Sequence, residues 1–406
     1  MIKVEKIIPG GQALGTMDDG KKIFFWNALP DEEILDYQII KNKSHFVEAI
    51  AVKIESPSPY RVKPQDECFL STSPWQIFDY DYELQEKQEL VVELFREHQI
   101  SISIPSIFTN HQDYHYRNKM EYALYWDNDT SRINLAFHSR GSHRKIPITK
   151  SSIEQPELFT TATKIIEDLN NRHEEARKYQ SLILRCNQNG EVSGGLYENG
   201  KPHPKFPVLK DKVLGQEYSY SPNGFFQINL PVYEMALREI KKHINTDQVL
   251  DLYAGVGTIG LSVATSHKLT LVECDKHAFY ELVRNCKAVN ETSPDDYKPE
   301  QKPLTESSKE QFGDILAILD KSENIINRIN SSQTVILDPP RAGCDKKLIN
   351  KLLEVTPPKI IYLSCNPATQ ARDVKSLLEK YHIEIIETFN FFPHTPHIEN
   401  LVVLSL

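Results

Sequence analysis

Four short apolar runs in the second half of this 406-residue chain constrain its fold more than any other feature. The runs are QVLDLY (248–253), LTLVE (269–273), TVILD (334–338) and KIIYLSC (359–365). Segments with helical periodicity separate them, and such alternation is typical of a parallel sheet with crossover connections. We therefore predict an α/β catalytic region over residues 216–406. Its helices are expected near 231–243, 276–289, 345–354 and 367–380.

Each run leads into a group that can carry out chemistry. QVLDLY precedes a glycine-rich turn that starts at Gly255, and the other three runs end at Glu273, Asp338 and Cys365. In open parallel sheets, ligands bind outside the carboxyl ends of the strands. One crevice should therefore receive all of these residues.

The glycine-rich turn has the spacing G-x-G-x-x-G over residues 255–260. This spacing is typical of sites for adenosine-containing cofactors, and Glu273 at the next strand end can accept both ribose hydroxyls. The motif alone does not distinguish NAD from S-adenosylmethionine. Asp251 on the preceding strand disfavours a pyrophosphate beside it, whereas a cationic sulfonium cofactor tolerates this carboxylate.

The remaining strand ends offer a candidate nucleophile and a candidate base. Two prolines follow Asp338 in the sequence DPPR and would form a stiff wall for a site. A lone cysteine is more often a small buried apolar residue, but the helix predicted to start at about Pro367 would favour a Cys365 thiolate. Glu399, before the last apolar strand, is either a solvated edge residue or a general base that acts with this cysteine.

The first half of the chain has a different pattern. Residues 1–58 contain short β-like runs between Gly-rich and Asp-Gly turns, which predicts a small barrel. A Pro-rich linker follows, and residues 59–215 are expected to form a central domain of mixed, mostly short strands. We expect a helix at about 82–98 that packs on the catalytic region. Further on, the polar segment 291–311 indicates a mobile surface insertion.

Charge and hydropathy limit the possible partners. A net charge of −9 argues against nucleic acid, but residues 132–150 carry five Lys or Arg and two His without an acid. This stretch is either a solvated hairpin face or a phosphate-binding surface. No apolar run approaches the roughly 18 residues of a membrane helix, and the N-terminus lacks the apolar core of a signal peptide. We expect a cytoplasmic protein without membrane contact.

Five motifs occur in the order seen in one known family. They are FFQIN (225–229), DLYAGVGTIGL (251–261), DPPR (338–341), SCNP (364–367) and PHTPHIENLV (393–402). On these residues, the chain resembles the RNA 5-methyluridine (uracil-C5) methyltransferase family. Residues 1–58, especially GGQALGTMDDGKKIFFWNALPDEE, resemble the TRAM domain, an OB-type RNA-binding barrel found in the ribosomal RNA members.

The resemblance implies a Rossmann-like S-adenosylmethionine-dependent methyltransferase domain, with an N-terminal OB-type β-barrel and a mixed α+β central domain. It implies an RNA (uracil-5-)-methyltransferase with Cys365 as nucleophile, Glu399 as base and S-adenosylhomocysteine as product. The residues that it places around the cofactor are Gln227, Tyr253, Gly255, Thr258, Glu273, Asp314 and Asp338. Phosphate contacts are expected from the basic stretch and from YRNKMEY (116–122), through Arg117, Lys119, Arg132, Arg140, Arg144 and Lys145.

One departure from the family concerns a metal centre. Many members hold an iron–sulfur cluster through four cysteines after the barrel, whereas the matching residues 62–76 keep only Cys68. One thiol cannot hold a cluster. The six cysteines of the chain also form no C-x-x-C pair, which argues against a zinc site and a disulfide framework. We expect free thiols, no iron–sulfur cluster and no other metal.

The target RNA and some alternative activities stay open at this point. The TRAM-like barrel favours 23S ribosomal RNA over transfer RNA, and a monomer is the default. The alternatives are a methyltransferase for cytosine C5 or an exocyclic amine, an inactive RNA-binding protein, and an NAD-dependent dehydrogenase. Intact Cys365 and Glu399 argue against the inactive protein, and no other feature supports hydride chemistry.

Overall fold

The structure is a computed structural model. It describes residues 1–172, 178–198, 201–203, 206–290 and 308–406. Most of the predicted insertion at 291–311 lies outside the described residues, and its last three positions belong to a strand. Among the described residues, no helix is both long enough and apolar enough to cross a membrane.

The strands and helices are as follows. The strands are β1 (Ile2–Ile7), β2 (Ala13–Thr16), β3 (Lys22–Trp26), β4 (Glu33–Asn42), β5 (Phe46–Ser56), β6 (Ser106–Phe108), β7 (Lys119–Asp127), β8 (Arg132–His138), β9 (Lys145–Pro147), β10 (Ser181–Cys186), β11 (Val192–Glu198), β12 (Lys201–His203), β13 (Leu209–Val213), β14 (Gln216–Tyr220), β15 (Gln248–Leu252), β16 (Lys268–Glu273), β17 (Lys309–Phe312), β18 (Ile315–Leu319), β19 (Gln333–Leu337), β20 (Lys359–Ser364), β21 (His382–Phe389) and β22 (Glu399–Ser405). The helices are α1 (Phe69–Thr72), α2 (Tyr80–Glu97), α3 (Pro156–Asn171), α4 (Leu230–Lys242), α5 (Thr258–Val263), α6 (Lys276–Asn290), α7 (Lys346–Val355) and α8 (Pro367–Leu377).

The N-terminal strands form a closed barrel in the order β1-β2-β3-β5-β4, and pairing of β1 with β4 closes it. Alternating side chains point inward, so that Val4, Ile23, Phe25 and Ala49 are buried. Closure leaves no free strand edge at this sheet. A five-stranded closed barrel is the architecture expected of an OB-type domain.

The central sheet has the order β12-β11-β10-β7-β8-β9 in the described residues, and neighbouring strands are antiparallel. Helix α3 begins with Pro156 at a position where a proline costs no helical hydrogen bond. Its residues Leu158, Ala162, Ile166 and Leu169 recur every three or four positions, and they are buried against this sheet.

A nine-stranded sheet forms the catalytic region, with the order β17-β18-β16-β15-β19-β20-β22-β21-β6 in the described residues. Its strands β18, β16, β15, β19 and β20 are parallel, as the four apolar runs predict. Leu252 at the end of β15 lies between Val272 and Leu337 of the two adjacent strands. This in-register arrangement brings the carboxyl ends of the parallel strands to one edge.

Two elements from the first half of the chain complete this region. Strand β6 pairs in parallel with β21, so the catalytic sheet takes an edge strand from outside the predicted range 216–406. Asp79 caps helix α2, because its side chain accepts from two backbone N–H groups of the first turn. The helix packs against α8. Its buried Lys87 Nζ donates to the Asn390 side chain (2.7 Å) and the Phe392 carbonyl (3.1 Å).

Candidate active site

The carboxyl edge of the nine-stranded sheet brings the two predicted reactive residues together. Strand β22 runs antiparallel to β20, and Ser364 at the end of β20 pairs with Asn400 at the start of β22. Cys365 therefore follows β20 at the place where Glu399 begins β22. Asp338 follows the neighbouring strand β19, so all three residues lie at the same edge.

The surroundings of Cys365 make its thiol a weak acid in the resting structure. Burial and the charges of Glu399 and Asp338 raise the pKa of the thiol to about 11. The helix expected to favour a thiolate is present, since α8 begins at Pro367, but burial and the two carboxylates act against ionisation. The guanidinium of Arg341 acts in the opposite direction, since it hydrogen-bonds the sulfur and lowers this pKa.

The two carboxyl groups at this edge also perturb each other. Burial and the neighbouring Asp338 raise the pKa of Glu399 well above its usual range, and burial raises that of Asp338 to about 7. Glu399 is 3% exposed. Ionisation of one of these buried carboxyl groups therefore opposes ionisation of the other.

Arg341 is the residue at this edge to which sequence reasoning gave no role, although it quoted the DPPR motif. Its carbonyl accepts hydrogen bonds from the side chains of Asn366 (2.8 Å) and Thr369 (3.1 Å), which precede and begin α8. Arg372 Nη2 donates to the next carbonyl, that of Ala342 (3.0 Å). These contacts fix the DPPR turn against the helix that follows Cys365, and so they fix Arg341 beside the sulfur.

The glycine-rich turn after β15 has three residues in the left-handed region of backbone conformation. Tyr253, Gly255 and Gly257 all have positive φ, and a Cβ on Gly257 would collide with Leu282. Glu273 at the end of β16 holds the turn, because one carboxylate oxygen accepts from the Gly255 N–H (2.8 Å). Thr258 begins α5 directly after the turn and is buried.

Asp251 of β15 binds the end of the same turn through its carboxylate. One of its carboxylate oxygens, Oδ2, accepts from the Gly260 N–H (2.9 Å), whereas Oδ1 is buried without a hydrogen-bond partner among the described residues. Burial and the charges of Asp338 and Glu273 raise the pKa of Asp251 to about 8. Asp251, Glu273, Asp338 and Glu399 therefore make this edge strongly acidic.

The structure corrects the prediction for Asp314. This exposed residue lies between β17 and β18, and its carbonyl accepts from the N–H of Leu269 near the start of β16. It is therefore at the amino edge of the sheet, opposite the other site residues. The residue that follows β18 at the carboxyl edge is Asp320, whose N–H donates to the Glu273 carbonyl (3.0 Å).

A cleft of about 780 Å³ opens beside the catalytic edge. Its lining includes Arg117, Glu121, His138, Tyr197, Thr395 and His397. The cleft therefore lies between the central sheet and the segment that precedes Glu399. Burial and the positive charges of Arg341, Lys87, Arg117 and Arg140 lower the pKa of His397 to about 4, which leaves a neutral imidazole at pH 7.

The six predicted RNA-binding residues lie in different surroundings. Arg132 and Arg144 are exposed, and Arg117 lines the cleft. Arg140 packs with its guanidinium 4.0 Å from the centre of the Trp26 ring of the barrel. The other two bind backbone oxygens: Lys145 Nζ donates to Leu124 (2.7 Å), and Lys119 Nζ donates within the segment that precedes α4.

The segment expected to lack a metal cluster is packed around Asp66. Its carboxylate accepts from the N–H (3.0 Å) and hydroxyl (2.7 Å) of Ser152 and from the side chain of Gln76 (2.9 Å). Burial and the charge of Asp66 raise the pKa of Cys68 to about 11. In the part of the chain that the structure describes, no three His, Cys, Asp or Glu side chains are grouped so as to hold a metal ion.

Comparison with known proteins gives matches to RNA methyltransferases. The model of the tRNA (uracil-5-)-methyltransferase family matches residues 209–406, which include every strand end at the catalytic edge. A Bacillus anthracis protein named uncharacterized RNA methyltransferase is 26% identical over 100% of this chain and 96% of its own length. A Synechocystis protein of the same description is 24% identical over 97% of this chain and 93% of its own. The C-terminal half of the chain therefore matches the uracil-5 methyltransferase family, and the chain as a whole matches proteins named RNA methyltransferases.

The fold of the chain also matches a solved structure from end to end. Pyrococcus abyssi tRNA (uracil-54, C5)-methyltransferase, solved in complex with S-adenosyl-L-homocysteine, has a TM-score of 0.73 and 22% sequence identity. The match covers 100% of both chains. The predicted fold class, a Rossmann-like methyltransferase domain with an N-terminal barrel and a mixed central domain, is confirmed.

Proposed function

We propose that this protein uses S-adenosylmethionine to methylate C5 of a uridine in structured RNA, with 23S ribosomal RNA as the first candidate target. The pairing of Ser364 with Asn400 carries the proposal, because it sets the Cys365 thiol beside the Glu399 carboxylate. Methylation of a pyrimidine carbon requires a nucleophile and a base at one place. Methylation of an exocyclic amine requires no thiol.

The catalytic edge suits S-adenosylmethionine in charge and in space. The carboxylates of Asp251, Glu273 and Asp338 are close enough to raise one pKa, and such a cluster favours a ligand with sulfonium and ammonium charges over a phosphate. A Cβ on Gly255 would meet nothing within 4 Å, so the turn is open on this side. The residues assigned to this site are Gln227, Tyr253, Gly255, Thr258, Glu273 and Asp338. When bound, S-adenosylmethionine supplies an electrophilic methyl group on a positively charged sulfur.

Cys365 begins the reaction on the RNA. Uracil C5 is too weakly nucleophilic to take a methyl group unaided, so the Cys365 sulfur adds to C6 and converts the base into an enolate. C5 of this enolate then carries the electron pair that forms the new carbon–carbon bond. The thiol must first lose its proton to solvent, and the Arg341 guanidinium at the sulfur favours the resulting thiolate.

Glu399 ends the reaction. After methylation, C5 still carries its proton, and this proton must leave before the base can become aromatic again. Glu399 accepts the proton, the C–H electron pair re-forms the C5=C6 double bond, and the Cys365 thiolate is expelled. The raised pKa of Glu399 suits this role, because a carboxylate in buried, acidic surroundings is a stronger base than one in water.

The target uridine has to leave any base stack to reach Cys365, which favours a loop or single-stranded target. The cleft beside His397 supports this route, since Arg117 lines it and the charges of Arg117, Arg140 and Arg341 act on His397. Transfer RNA is the second candidate, because the Pyrococcus abyssi enzyme that matches the whole chain is named for uridine 54 of transfer RNA. The barrel alone does not decide between the two RNAs, since that match also covers the barrel.

A mechanism-based trap tests the proposal. The protein is mixed with S-adenosylmethionine and with 23S ribosomal or transfer RNA transcripts that contain 5-fluorouridine, and products are separated on denaturing gels. Fluorine at C5 cannot leave as a proton, so the reaction should stall as a covalent adduct between Cys365 and C6. Mass spectrometry of the adduct identifies both the cysteine and the RNA fragment.

Two variants serve as controls for the trap. Cys365→Ala should give no adduct, whereas Glu399→Gln should accumulate an adduct even on transcripts with ordinary uridine, because the C5 proton stays in place. Measurable cofactor binding without any adduct on either RNA would contradict uridine C5 methylation. An adduct on one RNA alone would decide between the two targets.

The basic surface has its own test. Charge reversal at Arg140, Arg144 and Lys145 should weaken RNA binding and reduce its dependence on salt. Arg144→Glu is the cleanest single change, because Arg144 is exposed and the other two side chains bind protein groups. Unchanged affinity and salt dependence in the triple variant would exclude this surface as a phosphate-binding site.

A further inference from the structure

The loop at residues 221–229, which we call the cofactor loop, joins β14 to α4 and carries Gln227. The strand that leads into it, β14, lies beside the glycine-rich turn. Asn285 of α6 joins this strand to the turn, because its side-chain amide donates to the carbonyls of Ser219 (3.2 Å) and Val256 (2.9 Å). The position of this loop therefore decides where Gln227 stands relative to the proposed cofactor.

Two long cationic side chains of the central sheet hold the backbone of the cofactor loop. Lys119, at the start of β7, donates through Nζ to the carbonyls of Asn223 (3.1 Å) and Gly224 (2.9 Å). Arg185 of β10 donates through Nη2 to the carbonyl of Phe226 (3.1 Å) and is 1% exposed. Burial and the nearby Arg185 charge lower the pKa of Lys119 to about 8, which is consistent with an ammonium enclosed between the two regions.

Asn118 donates to two successive carbonyls of the loop, those of Gln227 and Ile228. Its backbone N–H donates to the Ile228 carbonyl (3.2 Å), and its side-chain amide donates to the Gln227 carbonyl (3.2 Å). The carbonyl of Asn118 in turn accepts from the N–H of Cys186 in β10 (2.9 Å), which ties this residue into the central sheet. The loop thus depends on a neighbouring domain for much of its hydrogen bonding.

We propose that Lys119, Asn118 and Arg185 are positioning residues that hold the cofactor loop in its binding conformation. The inference rests on the proposed function in one respect, since Gln227 is assigned to the cofactor there. In this inference Lys119 positions the loop instead of binding a phosphate, because two of the three N–H groups of its ammonium already donate to backbone carbonyls. Loss of these contacts would free a segment without secondary structure and lower cofactor affinity through the cost of ordering it again.

The first experiment needs no cofactor. Lys119→Met keeps most of the side-chain volume and removes the donor, and Lys164→Met, at an exposed position on α3 of the same domain, is the matched control. Amide hydrogen exchange in peptides that cover 221–230 should be about tenfold faster in ligand-free Lys119→Met than in wild type, and unchanged in the control. Equal exchange in wild type and Lys119→Met overturns the inference.

The second experiment is calorimetric titration with S-adenosylhomocysteine. Lys119→Met should bind about tenfold more weakly than wild type, with the melting temperature of the free protein kept within a few degrees and the KM for RNA unchanged. Lys119→Arg, which keeps a charged donor, should recover most of the affinity. If wild type binds S-adenosylhomocysteine and Lys119→Met binds it equally well, the inference fails while the proposed function stands. If wild type does not bind it, both fail.

A third measurement separates this role from a phosphate contact. Binding to an unmodified transfer RNA transcript is measured at several salt concentrations for wild type and Lys119→Met. A positioning residue should leave the slope of log affinity against log salt unchanged. A slope reduced by about one, together with full affinity for S-adenosylhomocysteine, would show that Lys119 binds a phosphate and would overturn the inference.

Discussion

Replacement of Asp251 by Asn should remove a large part of the pH dependence of stability. Asp251 is fully buried on β15, and among the described residues its Oδ1 has no hydrogen-bond partner, while Oδ2 accepts from the Gly260 N–H. Burial and the acidic groups Asp338 and Glu273 raise its pKa from 3.8 to about 8. The protein thus keeps an acidic group that is unfavourable to ionise at the place where we assign a cationic cofactor.

The sign of the effect follows from proton binding. Because the folded pKa is higher than the unfolded one, the folded state holds more protons than the unfolded state between about pH 4 and pH 8. The free energy of unfolding contributed by Asp251 is therefore intact below pH 4 and falls as the pH rises through this window. At about 1.36 kcal/mol per unit, the loss between pH 4 and pH 7 is at most about 4 kcal/mol.

The assay is urea denaturation of wild type and Asp251→Asn between pH 5 and pH 8.5. The variant should be no more stable than wild type at pH 5, because its amide leaves a buried donor unpaired, and clearly more stable at pH 8. Asp247→Asn, at an exposed position just before the same strand, is the matched control and should follow wild type. Equal pH dependence in wild type and Asp251→Asn would refute the reasoning.

Three further predictions follow from the contacts at the catalytic edge. Arg341→Met should raise the pKa of the Cys365 thiol above about 11, so that iodoacetamide alkylates Cys365 more slowly at pH 8.5. An unchanged rate would exclude the guanidinium as a thiolate-stabilising group. Asp320→Ala should weaken S-adenosylhomocysteine binding in calorimetry, whereas Asp314→Ala, at the opposite edge of the sheet, should have no effect; the reverse result would contradict the strand assignment. Lys87→Met should destabilise the protein by about 1–3 kcal/mol in urea denaturation, because it removes one of the two cations beside the buried Glu83 and the donor to the Asn390 and Phe392 oxygens, and an unchanged stability would contradict this account.

The parallel sheet and most of its reactive edge could be predicted from the sequence, because each feature is local. An apolar run that ends in Asp338 or Cys365 also places that residue at a strand end. The position of Glu399 could not be predicted from a local pattern, since it depends on which strand β22 pairs with and in which direction β22 runs. The resemblance of its motif to the family supplied that information.

The misplacement of Asp314 has a physical cause in the sequence. The four-run pattern omitted a fifth apolar run, ILAIL, which forms β18 over Ile315–Leu319. An aspartate that precedes this strand lies at its amino end, and the aspartate that follows it lies at the carboxyl end. The run itself was the signal, because ILAILD ends in an acid in the same way as TVILD.

Electrostatic surroundings were predicted less well, since they come from residues distant in the chain. The sequence shows that a helix begins after Cys365, but not that Glu399 and Asp338 lie beside the sulfur. In the same way, Lys119 of YRNKMEY, upstream of the basic stretch, suggested a phosphate contact. The carbonyls that Lys119 binds lie 104 and 105 residues further along the chain, and no local pattern indicates them.

Strand β6 has a consequence for how the chain reaches its folded state. Its residues Ser106–Phe108 pair with Glu387–Phe389 of β21, about 280 residues further along the chain. The two strands can therefore pair only after this long intervening segment has been synthesised, and closure of so long a loop is slow. A fragment that begins at residue 209 would lack this strand and expose the backbone groups of β21, so we expect it to aggregate while the full chain stays in solution.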